Sequence, residues 1–130
     1  METQETYVSI ETAKLLKQAG FDWDCKDKFY DFTNHCETYK KPTLEVARKW
    51  LREIKHYNLE IKILSITGGC LCWYYKAYKL EYCNGVYYEV KFLVQSETTV
   101  DTYELASDEG IQKCLTIILE EQQNEETNLV

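Results

Sequence analysis

Two thiols stand two residues apart at Cys70-Leu71-Cys72. On an extended strand that spacing puts both sulfurs on one side, about 7 Å apart. Two further ligands from Cys25, His35 or Cys36 would complete a tetrahedral zinc site. Structural zinc is held by Cys-x2-4-Cys knuckles in tight turns, and the chain has no such pair. The cysteines therefore read as small apolar residues. A nucleophile needs a base within hydrogen-bond reach, and only His35 and His56 are available. His35 adjoins Cys36, but neighbouring side chains rarely point at one another. The acid pairs Asp22/Asp24, Asp27/Asp31 and Asp108/Glu109 read as solvated surface. No catalytic, cofactor-binding or metal residue is assigned, and no enzyme is expected.

Two surfaces carry recognition chemistry instead. Arg48, Arg52 and Lys55 recur at helical spacing beside Lys40, Lys41 and Lys49. That face could meet phosphates or an acidic partner. The segment from Lys40 to His56 carries a local balance of +4, leaving −11 for the rest of a chain whose net charge is −7. An acidic whole argues against broad attraction to nucleic acid. The second surface is aromatic. Six of the 11 tyrosines (74, 75, 78, 82, 87 and 88) fall in one strand pair, and tyrosine suits interfaces because its ring is rigid and amphipathic.

At 130 residues the chain fits one domain. Its 45% apolar and 28% charged residues suit a soluble fold, and no apolar run reaches the length of a membrane span. The start, Met1-Glu-Thr-Gln-Glu, lacks the basic, then apolar, pattern of a signal peptide. A cytoplasmic protein with reduced thiols is expected.

A first helix is expected near 10–19. Ser9 is its N-cap and Glu11 suits the helix dipole. Val8 and Ala13 form a weak staple, and Gly20 with Phe21 makes a Schellman ending over Leu16. Residues 22–42 lack periodicity and read as a long loop with short pieces of strand or turn. A second helix spans 43–57, capped by Thr43, with Leu44, Ala47, Trp50, Leu51 and Ile54 inward and Asn58 as its left-handed end.

A strand over Glu60–Ile66 follows, then a hairpin from Cys70 to Gln95 turning at Asn84-Gly85. A two-residue turn would place Lys79 and Glu81 on the apolar face. A three-residue loop with a glycine bulge places Lys79 opposite Glu89 and is the expected register. Val86, Tyr88, Val90, Phe92 and Val94 then share the core face with Tyr74, Tyr78, Leu80 and Tyr82, while Tyr75, Tyr87 and Leu93 fall on the other. Lys76 opposite Phe92 is its awkward feature. The last helix spans Tyr103–Gln122, with Ala106, Gly110, Cys114, Ile117 and Ile118 inward. Gly110 marks close approach to the sheet.

The reading is a single α+β domain over 1–122, with an antiparallel sheet of three or more strands packed against helices. The order is α-loop-α-β-β-β-α, and an acidic tail at 123–130 frays.

Three stretches carry a resemblance: Tyr7-Val-Ser-Ile-Glu-Thr-Ala-Lys-Leu-Leu-Lys-Gln-Ala-Gly-Phe-Asp-Trp, Pro42-Thr-Leu-Glu-Val-Ala-Arg-Lys-Trp-Leu-Arg-Glu and Thr102-Tyr-Glu-Leu-Ala-Ser-Asp-Glu-Gly-Ile-Gln-Lys-Cys-Leu. Together they make the chain similar to a family of small proteins, without established function, from gut anaerobes and their phages or integrated elements. Where similar proteins read Glu-Glu-Ala, this chain has Glu104-Leu105-Ala106. The resemblance implies no activity or site residue.

The functional expectation is a non-enzymatic interaction or accessory module of a mobile element or phage-related locus. Its partner would be another protein or a second copy of the chain, with no cofactor and no membrane. The contact surface would be Arg48, Lys49, Arg52 and Lys55, or the tyrosine face with Tyr75 and Tyr87. The alternative is a nucleic-acid-binding regulator using the basic face of helix 43–57.

Overall fold

The computed structural model describes residues 6–33, 37–66 and 68–128, with the side chains of Ile66, Cys70, Tyr82, Tyr87, Glu89, Val90 and 126–128 outside that description. The fold is α+β, and among the described residues three helices flank two antiparallel sheets of two and three strands.

Helix α1 (Ile10–Ala19) forms as its caps dictate. Ser9 Oγ accepts from the Thr12 amide, Gly20 takes φ 97°, and the Phe21 amide donates to Leu16 O at 2.9 Å. Val8, Ala13 and Leu16 are buried together.

The 22–42 stretch contains a small hairpin, β1 (Lys28–Asp31) with β2 (Glu37–Lys40), in the register Lys28–Lys40, Phe29–Tyr39, Tyr30–Thr38. Buried Tyr39 packs this hairpin toward α1. The Nζ atoms of Lys14 and Lys17 lie 5.7 and 5.1 Å from the Tyr39 ring centre, near enough for cation–π attraction.

Helix α2 (Leu44–Trp50) starts at Thr43, whose Oγ1 accepts from the Val46 amide at 3.2 Å. It continues as a π turn over Leu51–Lys55 and ends at His56, which takes φ 63°. The expected end at Asn58 is thus corrected, because Asn58 already lies in the next strand. The wider turn also re-aims Ile54, which is 49% exposed rather than inward.

Strand β3 (Tyr57–Ile66) begins three residues earlier than expected, pairs with β4 (Cys70–Cys83), and β4 pairs with β5 (Val86–Gln95). The turn is the two-residue one: Asn84 has φ 52° and Gly85 φ 83°, and Cys83 faces Val86. The glycine-bulged register of the sequence reading is therefore overturned. Glu89 pairs with Leu80, Lys79 faces Lys91, and Lys76 faces Gln95. The pairing shifts twice, between Lys79 and Leu80 and between Ala77 and Tyr78, leaving Val90 and Leu93 without a direct partner on β4. The first irregularity sets Phe92 beside Tyr78, away from the face of Ala77, and the second returns Val94 to Ala77.

Helix α3 (Tyr103–Asn128) closes the fold. Thr102 caps it, accepting from the Leu105 amide at 3.1 Å. It runs past the expected end at Gln122. Ala106, Gly110, Ile111, Cys114, Leu115 and Ile118 are buried, and they meet Tyr57, Leu59, Tyr75 and Ala77 of the sheet in one core. The core face of β4 is thus the one bearing Tyr75 and Ala77, not the one bearing Tyr74 and Tyr78. Leu80, near the hairpin base, is buried as well.

Candidate functional site

The basic helix face is divided by the fold. Arg48 does not point freely to water. Its Nη1 donates to Tyr103 Oη and its Nη2 to Leu59 O, both at 2.6 Å, and its Nε is buried without a partner among the described residues. The guanidinium fork thus ties α2 to the first residue of α3 and to the outer edge of β3. Lys55 lies with its Nζ 5.6 Å from the ring centre of buried Trp50. Lys49 and Arg52 are exposed. With Glu45, Val46 and Arg48 they line a shallow groove of about 380 Å³. Of the four cations expected on this face, Lys49 and Arg52 face solvent, Lys55 is half-buried against Trp50, and Arg48 is a structural clamp.

Tyr75 is buried beneath α3, so the expectation that it forms an exposed surface is corrected. Its face is covered by the C-terminal helix, which comes to rest on Leu59 and Tyr75 at Gly110. The side chain of Tyr87 lies outside the described residues.

The opposite face of the sheet is the open one. Cross-strand partners share a face, so Leu64 stands with Cys72, Lys62 with Tyr74, Glu60 with Lys76, and Tyr78 with Phe92. Phe92 is 53% exposed and Leu64 45%. Phe92 meets Tyr78 edge to face at a centroid distance of 5.7 Å. Glu60 Oε2 lies 3.6 Å from Lys62 Nζ. A cleft of about 570 Å³, lined by Leu64, Tyr74 and residues 95–99, continues this surface toward the start of α3. The expected place of Phe92 in the core is corrected: it does share a face with Tyr78, but α3 covers the opposite face, that of Tyr75 and Ala77.

The acidic pair Asp108/Glu109 also divides. Asp108 Oδ1 accepts from the Ser9 amide at 2.9 Å and from Thr12 Oγ1 at 2.8 Å, while Gln112 Nε2 donates to Asp108 Oδ2 and Ser9 Oγ, each at 3.2 Å. A carboxylate of α3 thus caps α1 across 99 residues of sequence. No local pattern announces such a pairing.

The four described thiols lie in different surroundings. Cys114 is fully buried and its thiol is pushed up to about 12 by that burial. Burial also raises the Cys25 thiol, whose Sγ donates to Trp23 O at 3.7 Å. Cys83 is exposed and Cys72 half-buried. His35 and Cys36 lie outside the described residues, as does the Cys70 side chain. Among the described residues no three His, Cys, Asp or Glu side chains converge as metal ligands, and no helix is long and apolar enough to cross a membrane.

No protein-family model, curated protein or solved structure matches this chain. The chain has an α+β fold whose three-stranded sheet is covered by α3 on one face and, among the described residues, exposes Leu64 and Phe92 on the other.

Proposed function

We propose that the protein is a non-enzymatic interaction module and that its working surface is the open face of β3–β4–β5, which takes a second copy of the chain. One observation supports this above the rest: Phe92 stands half in solvent against Tyr78, on a face that also carries Tyr74 and Leu64. Contiguous apolar surface of this kind marks association sites. The occupant follows from charge. The same face holds Glu60 beside Lys62 and opposite Lys76, so it bears both signs. Two copies related by a two-fold axis can set lysine against glutamate while the aromatics interleave. An accessory role in a mobile-element locus belongs to this proposal through the sequence resemblance alone.

Light scattering on eluting protein tests it. The expected mass is twice the 15.4 kDa of one chain, falling to one chain in Phe92→Lys and Tyr78→Lys, both of which keep native circular dichroism. A wild-type protein that stays monomeric at about 0.5 mM, near the weakest self-affinity worth calling specific, overturns the reading. A dimer that both lysine variants leave intact overturns the choice of face.

A further inference from the structure

We infer that the pocket between α1 and the β1–β2 hairpin is an anion site that takes the phosphate group of a small molecule. It holds about 310 Å³ and is lined by Ala13, Lys17 and Phe21 from one side and Lys28, Thr38 and Lys40 from the other. Among the described residues no carboxylate lines it. That is an unusual lining in a chain of net charge −7.

The cations are set against one another. Lys28 and Lys40 are direct cross-strand partners, an arrangement that costs stability when the charges are alike. Lys17 adds a third. Neither Lys17 nor Lys28 has an ion-pair partner among the described residues. Lys14, one turn away on α1, is by contrast paired with Asp31 at 3.0 Å. Two acids of the hairpin are already engaged: Asp31 by Lys14 and Thr33, and Glu37 by the Tyr39 hydroxyl at 2.6 Å. An anion entering the pocket relieves the Lys28–Lys40 repulsion, and no described side chain of the lining can do so.

The geometry is also fixed in advance. Lys40 Nζ donates to the carbonyls of Asp22 and Trp23, each at 3.0 Å, which leaves one of its three N–H groups for a ligand. Phe21 is buried and held edge-on to Trp50 at 5.4 Å, giving the pocket a rigid apolar wall. The Thr38 hydroxyl supplies a neutral donor. Compact ammonium charges suit a phosphate. The volume stands at the small end of ligand pockets, which fits a phosphate ester up to about the size of a mononucleotide. This inference does not depend on the sheet-face reading.

Amide chemical shifts followed by NMR during titration at low salt test it, with inorganic phosphate, pyrophosphate and adenosine monophosphate as separate probes. Saturable shifts are expected at Lys17, Lys28, Thr38 and Lys40, weakening as salt is raised. The affinity falls about tenfold in Lys17→Ala and again in Lys28→Ala, as loss of one charged contact predicts. Both side chains are exposed, so these variants keep the fold. Lys49→Ala/Arg52→Ala, on the other basic surface, leaves the affinity unchanged. Inorganic phosphate binding as tightly as the nucleotide assigns the site to the free ion, and tighter nucleotide binding assigns it to the ester. Absence of saturation at about 10 mM of every probe, weaker than the lower end of useful affinity, overturns the inference. So does equal affinity in the Lys17→Ala/Lys28→Ala double variant.

Discussion

Gly110 lies so close to Leu59 that a Cβ added there would stand 2.7 Å from Cδ1 and 2.9 Å from Cδ2 of that leucine, and 3.1 Å from Cγ of Tyr75. Helix α3 therefore rests on the sheet at a point where only hydrogen fits. Alanine would gain about 1 kcal/mol of helix propensity. Overpacking a full core costs about 1–3 kcal/mol, and Leu59 and Tyr75 are both buried, so the leucine methyls must turn within that core to admit a Cβ. Gly110→Ala is expected to lower stability by about 1 kcal/mol in urea unfolding. In a Leu59→Ala background the same change becomes neutral or favourable, because the obstructing methyls are gone. A Gly110→Ala protein more stable than the parent would mean that the helix stands off the sheet.

The hairpin β1–β2 is tied to α1 by an acid whose ionisation depends on the fold. The Asp31 carboxyl is held at about 2, against an ordinary 3.8, first by the Thr33 hydroxyl and then by Lys14, with burial opposing both. Because the folded value is the lower one, the ionised form favours the folded arrangement. Its contribution is complete above 3.8 and is lost as pH falls toward about 2. Amide exchange across Lys28–Asp31 and Glu37–Lys40 is expected to accelerate in that window while α3 stays protected. Asp31→Asn should exchange faster at neutral pH and show no such acid step. Equal acid sensitivity in Asp31→Asn would remove Asp31 as the cause.

Local chemistry made much of this architecture legible. Ser9, Gly20 and Phe21 announced both ends of α1, and all three act as their types require. Thr43 and Thr102 started the other helices, and a glycine on the buried stripe of α3 pointed to close packing. The hairpin register was not legible in the same way. Asn84-Gly85 did signal a turn, yet the pairing is reset twice in β5 by Val90 and Leu93, and a valine or leucine in a bulge looks like one in a ladder. The covered face of β4 is set by where α3 lands, at Gly110 over Leu59 and Tyr75, and the resets leave Phe92 beside Tyr78 on the other face. The Asp108 cap on α1 was hidden for another reason, since it joins residues 99 apart. The lysine pocket shared that difficulty: Lys17 comes from α1, and Lys28 meets Lys40 only once β1 and β2 pair.

Arg48 separates the two accounts of the α2 surface, a recognition face and an internal clamp. Both terminal nitrogens are committed, to Tyr103 Oη and to Leu59 O, and the second of these contacts satisfies a carbonyl on the sheet edge. Hydrogen bonds from a charged donor are worth about 1.5–3 kcal/mol. Arg48→Ala is therefore expected to cost about 2 kcal/mol in urea unfolding, and Arg48→Lys to recover little, because an ammonium cannot span both acceptors. Lys49→Ala and Arg52→Ala, which remove exposed cations of the same helix, should each stay within about 0.5 kcal/mol of the parent. Tyr103→Phe should couple to Arg48→Ala, the double variant losing less than the two single losses together. Additive losses would show that the arginine and the tyrosine act separately. An Arg48→Ala protein as stable as Arg52→Ala would return Arg48 to the solvent-facing array and restore the case for a continuous basic surface.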